Sequence, residues 1–194
     1  MKKFLLNYVG IILLVAIIVT YLLIFRTAEV DGTSMAPTYD NGDLLLLFRS
    51  QSPKNGDIVA IYNSHLRGLL CKRVIGVAGD HVVVDEQGLS LNGVAVEESY
   101  VSTSDWFMTS TSIDLVVPDD EVFVMGDNRI ASNDSRQLGC MATNDIVGVV
   151  VINATKFCGI DRKLLVKIVA ILISVSVVWI YLEHRFKKNN GIVE

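Results

Sequence analysis

The middle of this 194-residue chain reads as an all-β domain of packed or coiled antiparallel sheets. Three observations predict that. Short apolar runs between residues 44 and 152 are bounded by Gly, Asp, Asn and Ser, the mark of strands separated by turns. Asn92-Gly93 lies between alternating apolar residues in LSLNGVAV, and this dipeptide suits a two-residue hairpin whose central positions both need positive φ. No twelve-residue segment of the region carries a helical period.

Taken in chain order, the first element is not a strand. After Met1-Lys2-Lys3, the run Phe4 to Phe25 holds 22 residues without a charge. As a helix it would cover roughly 30 Å, the thickness of a bilayer core. A cleaved leader would have a shorter apolar region and small residues before its cleavage site, whereas cleavage after Ala28 would put Arg26 at the small-residue position. Residues 1–26 therefore read as a cytoplasmic tip and an uncleaved anchor. The predicted strands are Leu44 to Phe48, Asp57 to Tyr62, Leu69 to Val77, His81 to Asp85, Gly88 to Leu91, Val94 to Glu97, Ser112 to Val117, Glu121 to Met125 and Ile146 to Ile152. Residues 98 to 111, polar with isolated aromatics, read as a loop or insertion. A second apolar run, Leu164 to Leu182, reads as a second span within 162–183 rather than a buried or surface-lying helix. Lys167 can snorkel near its start, and Trp179 and Tyr181 suit an interface. Lys2 and Lys3 at one end, and Arg185, Lys187 and Lys188 in the 184–194 tail, place both termini in the cytoplasm by the positive-inside bias. Residues 27–161 then form an extracytoplasmic domain.

That domain holds eight Lys and Arg against nineteen Asp and Glu, a formal charge of −11. Such a charge repels phosphate backbones and argues against nucleic acid as a partner. Cys71, Cys140 and Cys158 are too few and too irregularly spaced for a disulfide framework or zinc site, and at most one pair could form.

HExxH, GxSxG and the phosphate-binding GxxxxGKS are all absent. Histidine is scarce, since His65 and His81 sit in ordinary loop or strand contexts and His184 lies in the tail. A serine nucleophile would therefore need another base. Lysine can serve only when burial lowers its pKa far below the reference value of about 10.4. Lys72, in GLLCKRVIGVAGD, is the central lysine with apolar surroundings: Leu70 and Val74 share its face by strand alternation, and Arg73 points the other way. Taken singly, Lys72 reads as an edge lysine that discourages aggregation, and Ser34 as a turn residue between glycine and proline.

Four stretches together change that reading. VDGTSMAPT, shortly after the anchor, resembles the nucleophile segment SMxPT of bacterial type I signal peptidases. Gly56-Asp57-Ile58-Val59 resembles the next box of that family, KRVIGVAGD resembles its KRxxGxxGD lysine box, and GDNRIASNDSR resembles its GDNxxxSxDSR box. The four occur in the family's order across almost the whole domain. The resemblance implies a β-sheet fold and a serine endopeptidase that cleaves signal peptides from exported preproteins at the membrane, with no metal or organic cofactor. It implies Ser34 as nucleophile and Lys72 as general base, in the manner of other activated nucleophiles. It implies further that Ser132 orients the lysine, that Asp134 and Arg136 form a structural ion pair, and that Asp127 and Asn128 shape the same turn. Residues Ala28, Glu29, Val30 and Asp31, with Leu69, Leu70 and Cys71, match segments that flank an extended substrate by strand-like pairing, with shallow pockets for small side chains. Membrane lipid and the secretion machinery are the other implied partners.

The VxGxSM form and the lysine resemble the Gram-positive members, and histidine replaces the lysine in the eukaryotic and archaeal branch. One departure stands out: some members carry a serine two residues before the nucleophile as an oxyanion donor, and this chain has Gly32 there. The Ser34 backbone N–H remains as one donor. Two other readings are a peptidase dedicated to pilin-like or surface-protein precursors, and a non-catalytic assembly homologue. The latter predicts a lost dyad, yet Ser34, Lys72 and Ser132 are all present.

Overall fold

A computed structural model describes residues 13–16, 18–49, 52–64, 66–101, 112–159, 163–164 and 167–168. Residues 13–16 and 18–24 are helical and run directly into β1 (Phe25–Glu29). Then follow β2 (Leu44–Phe48), β3 (Ile58–Asn63), β4 (Gly68–Val77), β5 (His81–Asp85), β6 (Gly88–Leu91), β7 (Val94–Ala95), β8 (Ile113–Val116), β9 (Glu121–Met125), α1 (Ser135–Leu138), β10 (Met141–Ala142), a 3₁₀ turn (Thr143–Asp145), β11 (Ile146–Asn153) and α2 (Ala154–Cys158). A seven-stranded sheet has the order β1-β2-β11-β3-β4-β9-β10, and a four-stranded sheet the order β7-β6-β5-β8; every pairing is antiparallel. The mostly β, antiparallel class is the one expected.

The apolar alternation explains the layers. β4 is the longest strand at ten residues, and its register shifts between Val74 and Gly76 where it meets β9. Val74 faces one core with Val59, Ile61 and Val124. Ile75 faces a second core with Val82, Val117, Phe123 and Met125, which joins the two sheets. A third cluster, of Val30, Leu45, Leu47 and Ala60, lies under the loop that carries Ser34. The Asn92-Gly93 hairpin has φ values of 54° and 80°, as its sequence demands.

Phe25, counted above as the end of the apolar run, instead opens β1. It pairs with Phe48, its ring stacks on Tyr21, and the Arg49 N–H donates to the Ile24 carbonyl. Strand pairing thus ends the helix before the 26/27 boundary. Among the described residues no helix is long and apolar enough to cross a membrane. Residues 1–12, most of the second apolar run and 102–111 of the insertion lie outside the described residues.

Candidate active site

β4 brings the lysine. Its alternation buries Lys72 beside Val74 and turns Arg73 to the opposite face, where Asp127 accepts from Nε at 2.8 Å and from Nη2 at 2.6 Å. Lys72 is 3% exposed. Its Nζ lies 2.7 Å from Ser34 Oγ and 3.0 Å from the Cys71 carbonyl oxygen, and among the described residues no carboxylate pairs with it. Burial pushes the amine below its ordinary pKa; the Asp134 carboxylate works against that shift without reversing it. An amine whose charged form is disfavoured, set against a hydroxyl, is placed to exchange a proton with it.

The loop after β1 brings the serine. Gly32 has φ +92° and donates its N–H to Asn41 Oδ1 at 2.8 Å. A side chain in that conformation is strained even though the space around it is open, which is a local reason for glycine at this position. Met35, wholly buried, anchors the turn, and the Asn128 N–H donates to the Ser34 carbonyl at 3.0 Å.

The last box folds back against this turn. Asp134 caps α1: Oδ1 accepts from the Arg136 N–H, and the Gln137 side chain accepts from the Asp134 N–H. The same carboxylate receives Arg136 Nε at 2.9 Å, the Gly126 N–H at 2.9 Å and Ser132 Oγ at 2.6 Å. Burial alone would raise its pKa, but the Arg136 guanidinium and these donors hold it below the usual carboxylate range. Asp134 and Arg136 form a buried ion pair. Asn128 Oδ1 accepts from Ala131 N and shapes the turn, while Asp127 reaches further than expected, to Arg73 and the Thr38 hydroxyl. Ser132 spends its hydroxyl proton on Asp134, and its oxygen packs beside Gly126.

Gly126 is a residue that sequence reasoning passed over. A Cβ there would meet both Ser132 and the Ser34 carbonyl oxygen within 2.5 Å, so only glycine lets the two segments close. Its presence in GDNRIASNDSR was the available signal. Arg129 is another: buried, it is clamped by Glu98 at 2.5 and 2.8 Å. Nothing in the sequence paired a residue of the 98–111 loop with this box.

A cleft opens beside Ser34 and Lys72. All seven predicted substrate residues line it, Ala28 to Asp31 on one side and Leu69 to Cys71 on the other, with Leu45 and Ala60 as additional lining. β1 is the outermost strand of its sheet, and β9 pairs with β4 only from Arg73 onward, so the stretch before Lys72 keeps one ladder edge open. Cys71 and Cys140 are free thiols, and burial pushes Cys71 up to about 12, which makes it a wall rather than a nucleophile.

The sequence matches known proteins over most of its length. The family described as signal peptidase, peptidase S26, matches residues 1–154. Signal peptidase I of Bacillus caldolyticus is 32% identical over 143 residues, covering 66% of this chain and 79% of that protein. Signal peptidase I P of Bacillus subtilis subsp. natto is 35% identical over 152 residues, covering 71% and 82%. A crystal structure of a signal peptidase I from Enterococcus faecalis V583 aligns with a TM-score of 0.46 at 28% identity, over 52% of this chain and 98% of that one. The family match contains the serine turn, the lysine strand and the GDN loop in a single stretch, and the chain belongs to the signal peptidase S26 family, among the bacterial type I enzymes.

Proposed function

We propose that Ser34 and Lys72 form the catalytic dyad by which this signal peptidase cleaves signal peptides from preproteins, with Ser34 as nucleophile and Lys72 as general base. As a member of its family the chain is a serine endopeptidase acting on preproteins with signal peptides. The dyad assignment rests above all on one observation: a buried lysine without a carboxylate partner among the described residues lies 2.7 Å from a serine hydroxyl.

In the first half-reaction Ser34 Oγ attacks the scissile carbonyl carbon and its proton passes to Lys72 Nζ. The tetrahedral intermediate collapses with cleavage of the C–N bond, and Lys72 gives the proton to the departing amine. Water then attacks the serine ester, again losing a proton to Lys72, and that proton returns to Ser34 Oγ as the acid leaves. The Ser34 N–H is one donor to the oxyanion. Ser132, pressed beside the Ser34 backbone across Gly126 and bonded to Asp134, keeps the surroundings of the lysine in place. An extended preprotein pairs along Ala28–Asp31 and along the open edge at Leu69–Cys71, and the apolar lining selects small side chains.

In the same reading residues 1–26 anchor the chain, 162–183 form a second span, and 27–161 work on the extracytoplasmic side in contact with lipid and the secretion machinery. Preprotein cleavage in detergent by wild type, Ser34→Ala and Lys72→Ala tests the dyad. Each variant should lose on the order of 10²- to 10⁴-fold in rate. Wild-type rates in both would overturn the assignment.

A further inference from the structure

The segment that follows β11 reaches back to the loop carrying Ser34. Asn153 does two things at once: Oδ1 caps α2 by accepting from the Lys156 N–H at 3.0 Å, while Nδ2 donates to Asp43 Oδ2 at 2.6 Å. Thr155 Oγ1 accepts from the Leu44 N–H at 2.9 Å. Lys156 Nζ donates to the Thr38 carbonyl at 3.0 Å and lies 3.3 Å from Asp40 Oδ2. Three side chains of one short segment thus grip residues 38–44, the outgoing part of the Ser34 turn. Thr38 is held from both sides, because its hydroxyl donates to Asp127.

We propose that Lys156 is a positioning residue for Ser34, and that α2 is the latch through which the C-terminal part of the chain holds the nucleophile loop in register with Lys72. The idea rests on the reading of Ser34 as nucleophile. The family match ends at residue 154, so Lys156 lies just past it. The lysine is about half exposed, and ion pairs in such settings contribute little to overall stability. Its effect is local: a charge-assisted bond fixes a carbonyl four residues beyond Ser34, and rates respond to small displacements of a reacting atom. The cleft walls at 28–31 and 69–71 are not touched by Lys156, so substrate binding should be spared.

The test is steady-state cleavage of one preprotein by the full chain in detergent, as wild type, Lys156→Met, Lys156→Arg and Ser34→Ala. Lys156→Met should lower kcat by roughly three- to tenfold with KM and Tm unchanged, and Lys156→Arg, which keeps a cationic donor, should restore most of the rate. An unchanged kcat in Lys156→Met, a loss carried by KM, or a loss that tracks a fall in Tm would overturn the latch. A wild-type rate in Ser34→Ala would instead remove the underlying reading. An inactive Ser34→Ala beside an unaffected Lys156→Met sinks the latch alone.

Discussion

Lys72 and Arg73 are neighbours on β4, both sunk in the protein, and their charges are met in opposite ways. Arg73 points toward Asp127, which clamps it with two hydrogen bonds, and the Tyr100 ring lies 3.8 Å from its guanidinium carbon. Arg129 and Arg136 repeat the pattern with Glu98 and Asp134. Lys72 is given a hydroxyl and a carbonyl instead. A buried cation is tolerated when paired; left unpaired, it sheds its proton. The paired arginines keep partners for their charge, and Lys72 is the buried cation whose charged form desolvation disfavours.

Replacing Lys72 by Met tests the lysine side and carries the largest expected effect. Activity should fall on the order of 10²- to 10⁴-fold while the fold persists. Stability should rise, because the folded chain no longer disfavours a proton that the unfolded chain keeps. The sign follows from the depressed pKa: between the folded value and the unfolded value of about 10.4 the unfolded state binds more protons, so wild type gains stability as pH rises. The advantage of Lys72→Met in urea midpoint should thus be greatest at low pH and shrink toward that value.

The arginine side should respond the other way. Glu98→Ala leaves the buried guanidinium of Arg129 without its carboxylate and should cost about 3 to 5 kcal/mol in denaturant unfolding. A cost below about 1 kcal/mol would mean that the pair is not the clamp drawn above. Gly126→Ala sharpens the contact between the two sides: overpacking there should cost about 1 to 3 kcal/mol and, by displacing Ser132 and the Ser34 carbonyl, depress kcat more than KM. Thr38→Val should be mildest, near 1 kcal/mol, since it removes a single hydroxyl from the Asp127 carboxylate while Arg73 stays bound to it.

Much of this comparison was legible in the chain. Alternation along GLLCKRVIGV puts Lys72 and Arg73 on opposite faces, and His81–Asp85, Gly88–Leu91 and Glu121–Met125 are strands with the expected bounds. Local periodicity could not reveal β1, whose FRTAE continues an apolar helical run and becomes a strand only because β2 offers a partner. Nor could it reveal α1 or α2, each too short for a period; their signals were caps, Asp134 with Gln137 and Asn153. The box motifs brought Ser34, Lys72, Ser132 and Asp134 together. The partners Glu98, Thr38 and Lys156 were hidden because each is joined to the site by a contact made only in the folded chain.

The central claim, that burial without a counterion makes Lys72 a neutral base, is tested most directly by following the protonation of that side chain. In Ser34→Ala protein carrying ¹³Cε-labelled lysine, with Lys72→Met used to assign the resonance, NMR titration reads its pKa. The account predicts a midpoint below the ordinary lysine value of about 10.4, matched in wild type by a cleavage rate that falls as acid protonates the same group. A Lys72 resonance that titrates near that ordinary value, with cleavage undiminished well below neutral pH, would contradict it.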